Sequence, residues 1–410
     1  MKNNILLLFF SLIIIVAKTQ TYSNLSFYIV AHQDDWQLFM GANAYNDILN
    51  KDEKIVFIYT TSGNSGIIGN IGNGEGYGKC VNCKKPYFKT REDGAISSIQ
   101  LVNPPSNNIE WCNECWPYPK MSEEKIKFNG KNWYVKKYTY YNTVSYFLRL
   151  EDGKLANLKD GPQDGSITVV TSKENSKDHQ NTFHTWSEFT TLLNKIIVYE
   201  KGTFSSFWIN THEPNTTLNP KDHPDHIATG LACEALSAEL NANYIYYVGY
   251  DIENRNVNIS PDFMVNKAGL LAAYNKPKID AGWWDDWQPC KHWCSKEYFR
   301  IVQNSINTIN DTINDDNVCE LLNQDRYSIS YSINNDKLNL KYNILEDNKI
   351  KIEIINSSGV ILNQINNENV LSKGQYENVF DITNLNSGLY FIRIFSGGII
   401  MTTAKFIINK

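Results

Sequence analysis

The sequence has no long lysine or arginine cluster, and its 39 basic residues are outnumbered by 44 acidic ones for a formal net charge of −5. Nucleic-acid binding starts from clustered positive charge on the phosphate backbone, so that class of partner is set aside. Beyond the first twenty residues no apolar run approaches the roughly 20 residues that span a bilayer as a helix. No transmembrane segment is therefore expected in the mature chain. Histidine is scarce, with seven in 410 residues, so the places where histidines gather carry information. Disorder is excluded by a hydrophobic content of 42%, which is enough for a substantial core, and the length suits two or three domains.

The amino terminus, "MKNNILLLFFSLIIIVAKTQ", places one early lysine before an apolar run from Ile5 to Ala17, followed by small and polar residues. That run is short for a bilayer and suits a signal-peptide core, so residues 1–20 are expected to be removed on export. Eight cysteines in an exported chain are expected to pair. "CVNC" (Cys80, Cys83) and "CNEC" (Cys112, Cys115) also have the form of two thiolate pairs that could share a structural zinc ion. Disulfides and a second, structural zinc both stay open for these four. Cys233 lies in an apolar, helix-like stretch and reads as a core thiol.

Strand-like runs occur at 25–31, 54–60, 166–171, 206–210 and 244–250, with helix-like stretches such as "WQLFMGANAYNDILN" and "HIATGLACEALSAEL" between several of them. Alternating strands and helices predict βαβ units and a mostly parallel sheet within residues 21–318. The glycine-, cysteine- and aromatic-rich segment 67–160 reads as containing an insertion. An Asn/Asp/Ser/Thr-rich stretch marks a linker at 319–334. Residues 335–410 read as short strands around glycine-containing turns, a small all-β sandwich.

Chemistry concentrates at two strand ends. "FYIVAHQDDWQLF" (27–39) delivers His32, Asp34 and Asp35 at the carboxyl end of a strand, where open α/β sheets place their active sites. "NPKDHPDHIATG" (219–230) brackets a Pro-Asp pair between His223 and His226 just before a helix. Imidazole and carboxylate are good zinc ligands, and a catalytic zinc site needs three of them with one open position. His32, Asp35 and His226 could make that set.

These motifs carry a resemblance. "AHQDD", "TTSGNSG" (60–66), "TREDGA" (90–95) and "HPDH" occur in the order and approximate spacing of the PIG-L/LmbE-like zinc deacetylases, over residues 25 to about 250. The resemblance implies a Rossmann-like scaffold and removal of N-acetyl groups from N-acetylglucosamine-type sugars. It implies further that His32, Asp35 and His226 hold a catalytic Zn2+ and that Asp34 is the general base. It gives His223 the oxyanion or leaving amine, Asp225 the orientation of His223, and Arg91 a contact with substrate. A helix-terminal salt bridge is the other reading of Arg91. The chain departs from the pattern at Gln33, at Lys221 and at Trp36, an indole expected to wall the substrate pocket. The tryptophans of "AGWWDDWQPCKHW" (281–293) are either sugar-stacking platforms or a packing cluster.

The segment "ITNLNSGLYFIRIFSGGIIMTTAKFIINK" resembles the type A sorting domain of type IX secretion, which implies passage to the cell surface or beyond, with the secretion machinery as partner. Together these readings predict a secreted zinc-dependent N-deacetylase acting on an N-acetylated glycan or glycoconjugate. The competitors are a glycan-binding protein on an inactive scaffold and a zinc amidase acting on a non-sugar amide.

Overall fold

A computed structural model describes residues 22–64, 83–104, 121–160, 167–168, 181–302 and 329–408, with short breaks at 241, 335, 345, 357–359 and 397–398. The expected signal peptide, Cys80, Cys112, Cys115 and positions 319–328 of the expected linker lie outside the described residues.

The first unit contains strands β1 (Asn24–Val30), β2 (Glu53–Thr61), β3 (Ser122–Phe128), β4 (Lys131–Tyr140), β5 (Thr143–Leu150), β6 (Ile167–Thr168), β7 (Thr182–Phe183), β8 (Trp208–His212), β9 (Asn243–Tyr247) and β10 (Phe299–Val302). Eight of them form one sheet in the order β10-β9-β8-β1-β2-β5-β4-β3, while β6 and β7 pair only with each other. The stretch from β9 through β8, β1 and β2 to β5 is parallel. The strands outside it at both edges are antiparallel. The helices are α1 (Asp35–Phe39), α2 (Gly41–Leu49), α3 (Tyr87–Val102), α4 (Leu155–Asp160), α5 (Trp186–Lys201), α6 (Pro224–Ala235), α7 (Pro261–Asp280) and α8 (Trp287–Cys290).

The two-residue period of β1 sends Leu25, Phe27 and Ile29 into a core with Leu192 and Ile196 of α5 and Ala232 of α6. Tyr28 and Val30 point the other way, into a core with Phe39, Ile48, Ile96 and Leu270 of α1, α2, α3 and α7. Burial on both faces is what a parallel sheet requires of its strands. Helix starts follow their capping chemistry. Thr185 accepts from the Glu188 N–H at 3.1 Å while the Glu188 carboxylate reaches back to the His184 N–H at 2.7 Å. At α6, His223 is the cap and Pro224 opens the first turn, where a missing N–H costs nothing.

Within 67–160, the segment expected to contain an insertion, β5 is a fully buried strand of the main sheet, parallel to β2, and β3 and β4 extend its edge. One expectation needs correction. Within 166–171 the described part is only the two-residue β6, outside the main sheet.

The carboxyl-terminal unit is all antiparallel: β11 (Ile329–Asn334), β12 (Lys337–Ile344), β13 (Asn348–Asn356), β14 (Ile361–Leu371), β15 (Gly374–Asp381), β16 (Gly388–Ser396) and β17 (Ile399–Ile408). Sheets β11-β12-β15 and β14-β13-β16-β17 enclose a common core that includes Leu338, Leu340, Ile352, Phe380 and Ile392. Strand β11 occupies 329–334, the last six positions of the expected linker, where "ISYSIN" alternates apolar and polar positions.

Candidate metal centre

The strand order reverses direction at β1: β2 and β5 lie on one side of it, β8 and β9 on the other. The crevice at the carboxyl ends of β1 and β8 is such a switch point, and it is where the chemistry-bearing residues meet. His32 follows β1, His212 ends β8, and His226 sits in the first turn of α6 just beyond.

His32 Nδ1 lies 3.1 Å from His226 Nε2 and 3.4 Å from Asp35 Oδ1, and His226 Nε2 is 3.1 Å from the same Asp35 oxygen. Donors about 2.0–2.1 Å from one tetrahedral ion stand roughly 3.3–3.4 Å apart, so these three atoms fit a zinc-sized ion. All three side chains are buried. Burial would raise the Asp35 carboxyl, but the imidazoles of His226, His32 and His212 hold it well below the usual carboxylate range. Three overlapping sets of donors around this site also converge: His32, His223 and His226; His32, Asp152, His223 and Asp225; and Asp35, His212 and His226.

Each of the three has its own orienting partner, and sequence reading missed all of these partners. Asp152 Oδ1 lies 3.2 Å from His32 Nε2. His212 Nε2 lies 3.0 Å from Asp35 Oδ2, and its ring stacks on His226 at 4.1 Å between centroids. Asp222 Oδ1 is 2.9 Å from His226 Nδ1. A carboxylate on one ring nitrogen fixes the tautomer and aims the other nitrogen, as in metal-binding histidines generally. Asp222 also accepts from the Tyr250 N–H and from Asn219. A Cβ at Gly249 would stand 2.4 Å from the Asp222 carboxylate, so only glycine lets that turn approach. The strand-end rule that singled out His32 would also have found His212, and Asp152 once β5 was recognised.

Asp34 precedes Asp35 in the chain and is not among the converging donors; its side chain is 14% exposed and its Oδ1 is bonded by Arg91 Nη2. Arg91 is buried rather than open to a substrate: Nε donates to Tyr274 Oη and Nη1 to the Gly63 carbonyl, both at 2.6 Å. Gly63 has φ +55°, and a side chain there would run into the guanidinium. The salt-bridge reading of Arg91 thus describes its contacts better than substrate binding does. Trp36 is also corrected. Its indole is fully buried against Phe57 and donates to Tyr59 Oη at 3.0 Å, so it belongs to the core under the site and not to a pocket wall.

His223 Nδ1 accepts from the Asp225 N–H at 3.2 Å, which leaves the proton of the neutral ring on Nε2. Burial, then the charges of His32 and His226, push its pKa down to about 4. The Asp225 carboxylate does not orient His223. It accepts from the Gly153 and Leu155 N–H groups at 2.6 and 3.0 Å and lies 3.8 Å from His32 Nε2. It holds the loop that carries Asp152.

Cys83 is disulfide-bonded, which removes one thiolate from the second zinc site considered for Cys80, Cys83, Cys112 and Cys115. Cys233 is a buried free thiol, while Cys290 and Cys294 are free rather than paired. Trp283 is buried, donating to the Lys85 carbonyl, and Trp284 stacks on Tyr87, so these two pack; Trp287 is half-exposed.

No described helix is long and apolar enough to cross a membrane. The chain is similar in structure to an N,N'-diacetylchitobiose deacetylase from Pyrococcus horikoshii, with 14% identity, a TM-score of 0.38 and coverage of 68% of this chain and 84% of that one. It is also similar to OgpA from Akkermansia muciniphila bound to an O-glycopeptide, with 8% identity, a TM-score of 0.16 and coverage of 96% and 94%. No curated protein matches it. Residues 334–409 match the family described as "Secretion system C-terminal sorting domain", and the protein is accordingly secreted or held at the cell surface by type IX secretion.

Proposed function

We propose that the protein is a zinc-dependent N-deacetylase that removes acetyl groups from N-acetylglucosamine-type sugars in an extracellular glycan or glycoconjugate. The observation that carries this reading is the convergence of the His32, Asp35 and His226 donor atoms at 3.1–3.4 Å, with Asp34, the residue before Asp35, outside the set and held by Arg91. His32, Asp35 and His226 would hold the zinc, whose Lewis acidity polarises an amide carbonyl and acidifies water.

The chain's own groups divide the remaining work. Asp34, kept in place by Arg91, takes a proton from the attacking water and returns it to the sugar nitrogen as the C–N bond breaks. His223, neutral with its proton on Nε2, donates a hydrogen bond to the carbonyl oxygen as negative charge gathers there. A C–O bond forms, a C–N bond breaks, and acetate and a free amino sugar leave. The substrate class rests on the sequence motifs.

The test is acetate release by the purified protein from a panel of N-acetylated glycans, with and without chelator and with zinc restored. Chelator-sensitive release from one glycan class is the expected result. Zinc bound at the site with no release from any glycan would redirect the reading to other amides.

A further inference from the structure

The sorting domain is expected to act as an address, dispensable for the fold of the unit it delivers. Its contacts with that unit are those of a packed interface. Ile355 of β13 and Leu389 and Phe391 of β16 belong to the same buried cluster as Ala44 and Ile48 of α2, so these two strands are buried at those positions on the outer side of their sheet as well as on its inner side. Beside this apolar contact, Lys405 Nζ of β17 lies 2.9 Å from Asp47 Oδ2 of α2, with side chains 6% and 3% exposed. The same ammonium stands over the Trp208 ring, 5.3 Å from its centroid.

Asp47 is a core residue of the first unit, where it also accepts from Tyr28 Oη at 2.7 Å and neighbours the buried Glu53. Strand β17 supplies the cation that stands beside these two carboxyl groups, and replacing Lys405 within the packed interface would leave them buried without it. Removing one partner of a buried ion pair is strongly destabilising because the remaining charge stays desolvated. Burial and Asp47 push Glu53 up to about 8, and Lys405 opposes them, so the ammonium is felt by both carboxyl groups. A groove of about 1070 Å³, lined by Glu53 and Trp208 on one side and Tyr331 and Lys405 on the other, runs along the junction.

We propose that the sorting domain is a built-in partner of the α/β domain, held by the Lys405–Asp47 pair and the Ile355/Leu389/Phe391 patch, and that it stays bound after the connection between the two is cut. The surface of the α/β domain at α2 is then complementary to one occupant, its own carboxyl-terminal sheet. Cutting the chain releases the sorting domain only when the ion pair is broken as well.

The experiment uses the full chain with a protease site introduced between 303 and 328 and cleaved after folding. Wild-type pieces are expected to co-elute in size exclusion at micromolar concentration, and Lys405→Met is expected to weaken their association on the order of a hundredfold. Should Lys405→Met fail to fold, Asp47→Asn removes the charge with little change of shape and gives the same readout. Independent elution of the wild-type pieces overturns the proposal. Association unchanged by either variant overturns the role of the ion pair. Neither result depends on catalytic activity.

Discussion

Asp222 and His226 are joined across one helical turn by a 2.9 Å contact between Oδ1 and Nδ1, and this leaves His226 Nε2 as the nitrogen that faces Asp35 and His32. Asp222→Ala is expected to lower zinc affinity by about 10–100-fold without removing a ligand. Chelator competition measures this directly, and an unchanged affinity would mean that the carboxylate only anchors the Tyr250 turn.

Asp34 and Arg91 act as one unit. Asp34→Asn is expected to keep zinc at wild-type stoichiometry while kcat falls by about 10²–10⁴-fold. Arg91→Lys, which loses the fixed fork that reaches Asp34, Gly63 and Tyr274 together, is expected to lower kcat with little change in KM. A rise in KM alone would restore a substrate contact for Arg91. Metal analysis and steady-state kinetics on the same preparations separate these outcomes.

Trp36 supports the site from below. Trp36→Phe leaves a cavity against Phe57 and removes the bond to Tyr59 Oη, so thermal unfolding is expected to shift down by about 1–3 kcal/mol in stability while KM holds. A raised KM with unchanged melting would return the indole to the pocket.

Glu53 gives the protein a stability term of unusual sign. Its carboxyl is raised to about 8 by burial and by Asp47, so the folded state binds that proton more tightly than the unfolded chain. The contribution is fully present below the unfolded pKa near 4.5 and is lost as pH rises through about 8. Glu53→Gln is expected to flatten the fall in stability between pH 5 and pH 8 in denaturant titrations. A slope unchanged by the substitution would assign it to other groups.

The candidate metal centre was legible where one rule applied, that polar residues at the carboxyl ends of parallel strands converge. "FYIVAHQDD" displays the rule openly, because seven buried strand residues stop at a histidine. The same rule fits His212, yet "WINTH" reads as an ordinary strand until Asp35 is known to lie opposite it. Asp152 was hidden because β5 sits in a segment rich in glycine, cysteine and aromatics, whose composition masks a buried strand. Trp36 was misassigned because adjacency in sequence to Asp35 says nothing about which side of a helical turn faces the core. Asp225 shows the same limit: the backbone N–H groups that claim its carboxylate belong to residues 153 and 155, about seventy positions away.

His32 and His226 are 194 positions apart in the chain and meet only when β8 pairs with β1. Contacts so distant in sequence form late, since the entropy of closing the intervening chain must be met first. A nascent or translocating polypeptide therefore lacks the complete donor set. Under the proposed function, loading of the metal follows folding, in whatever compartment the sheet is completed.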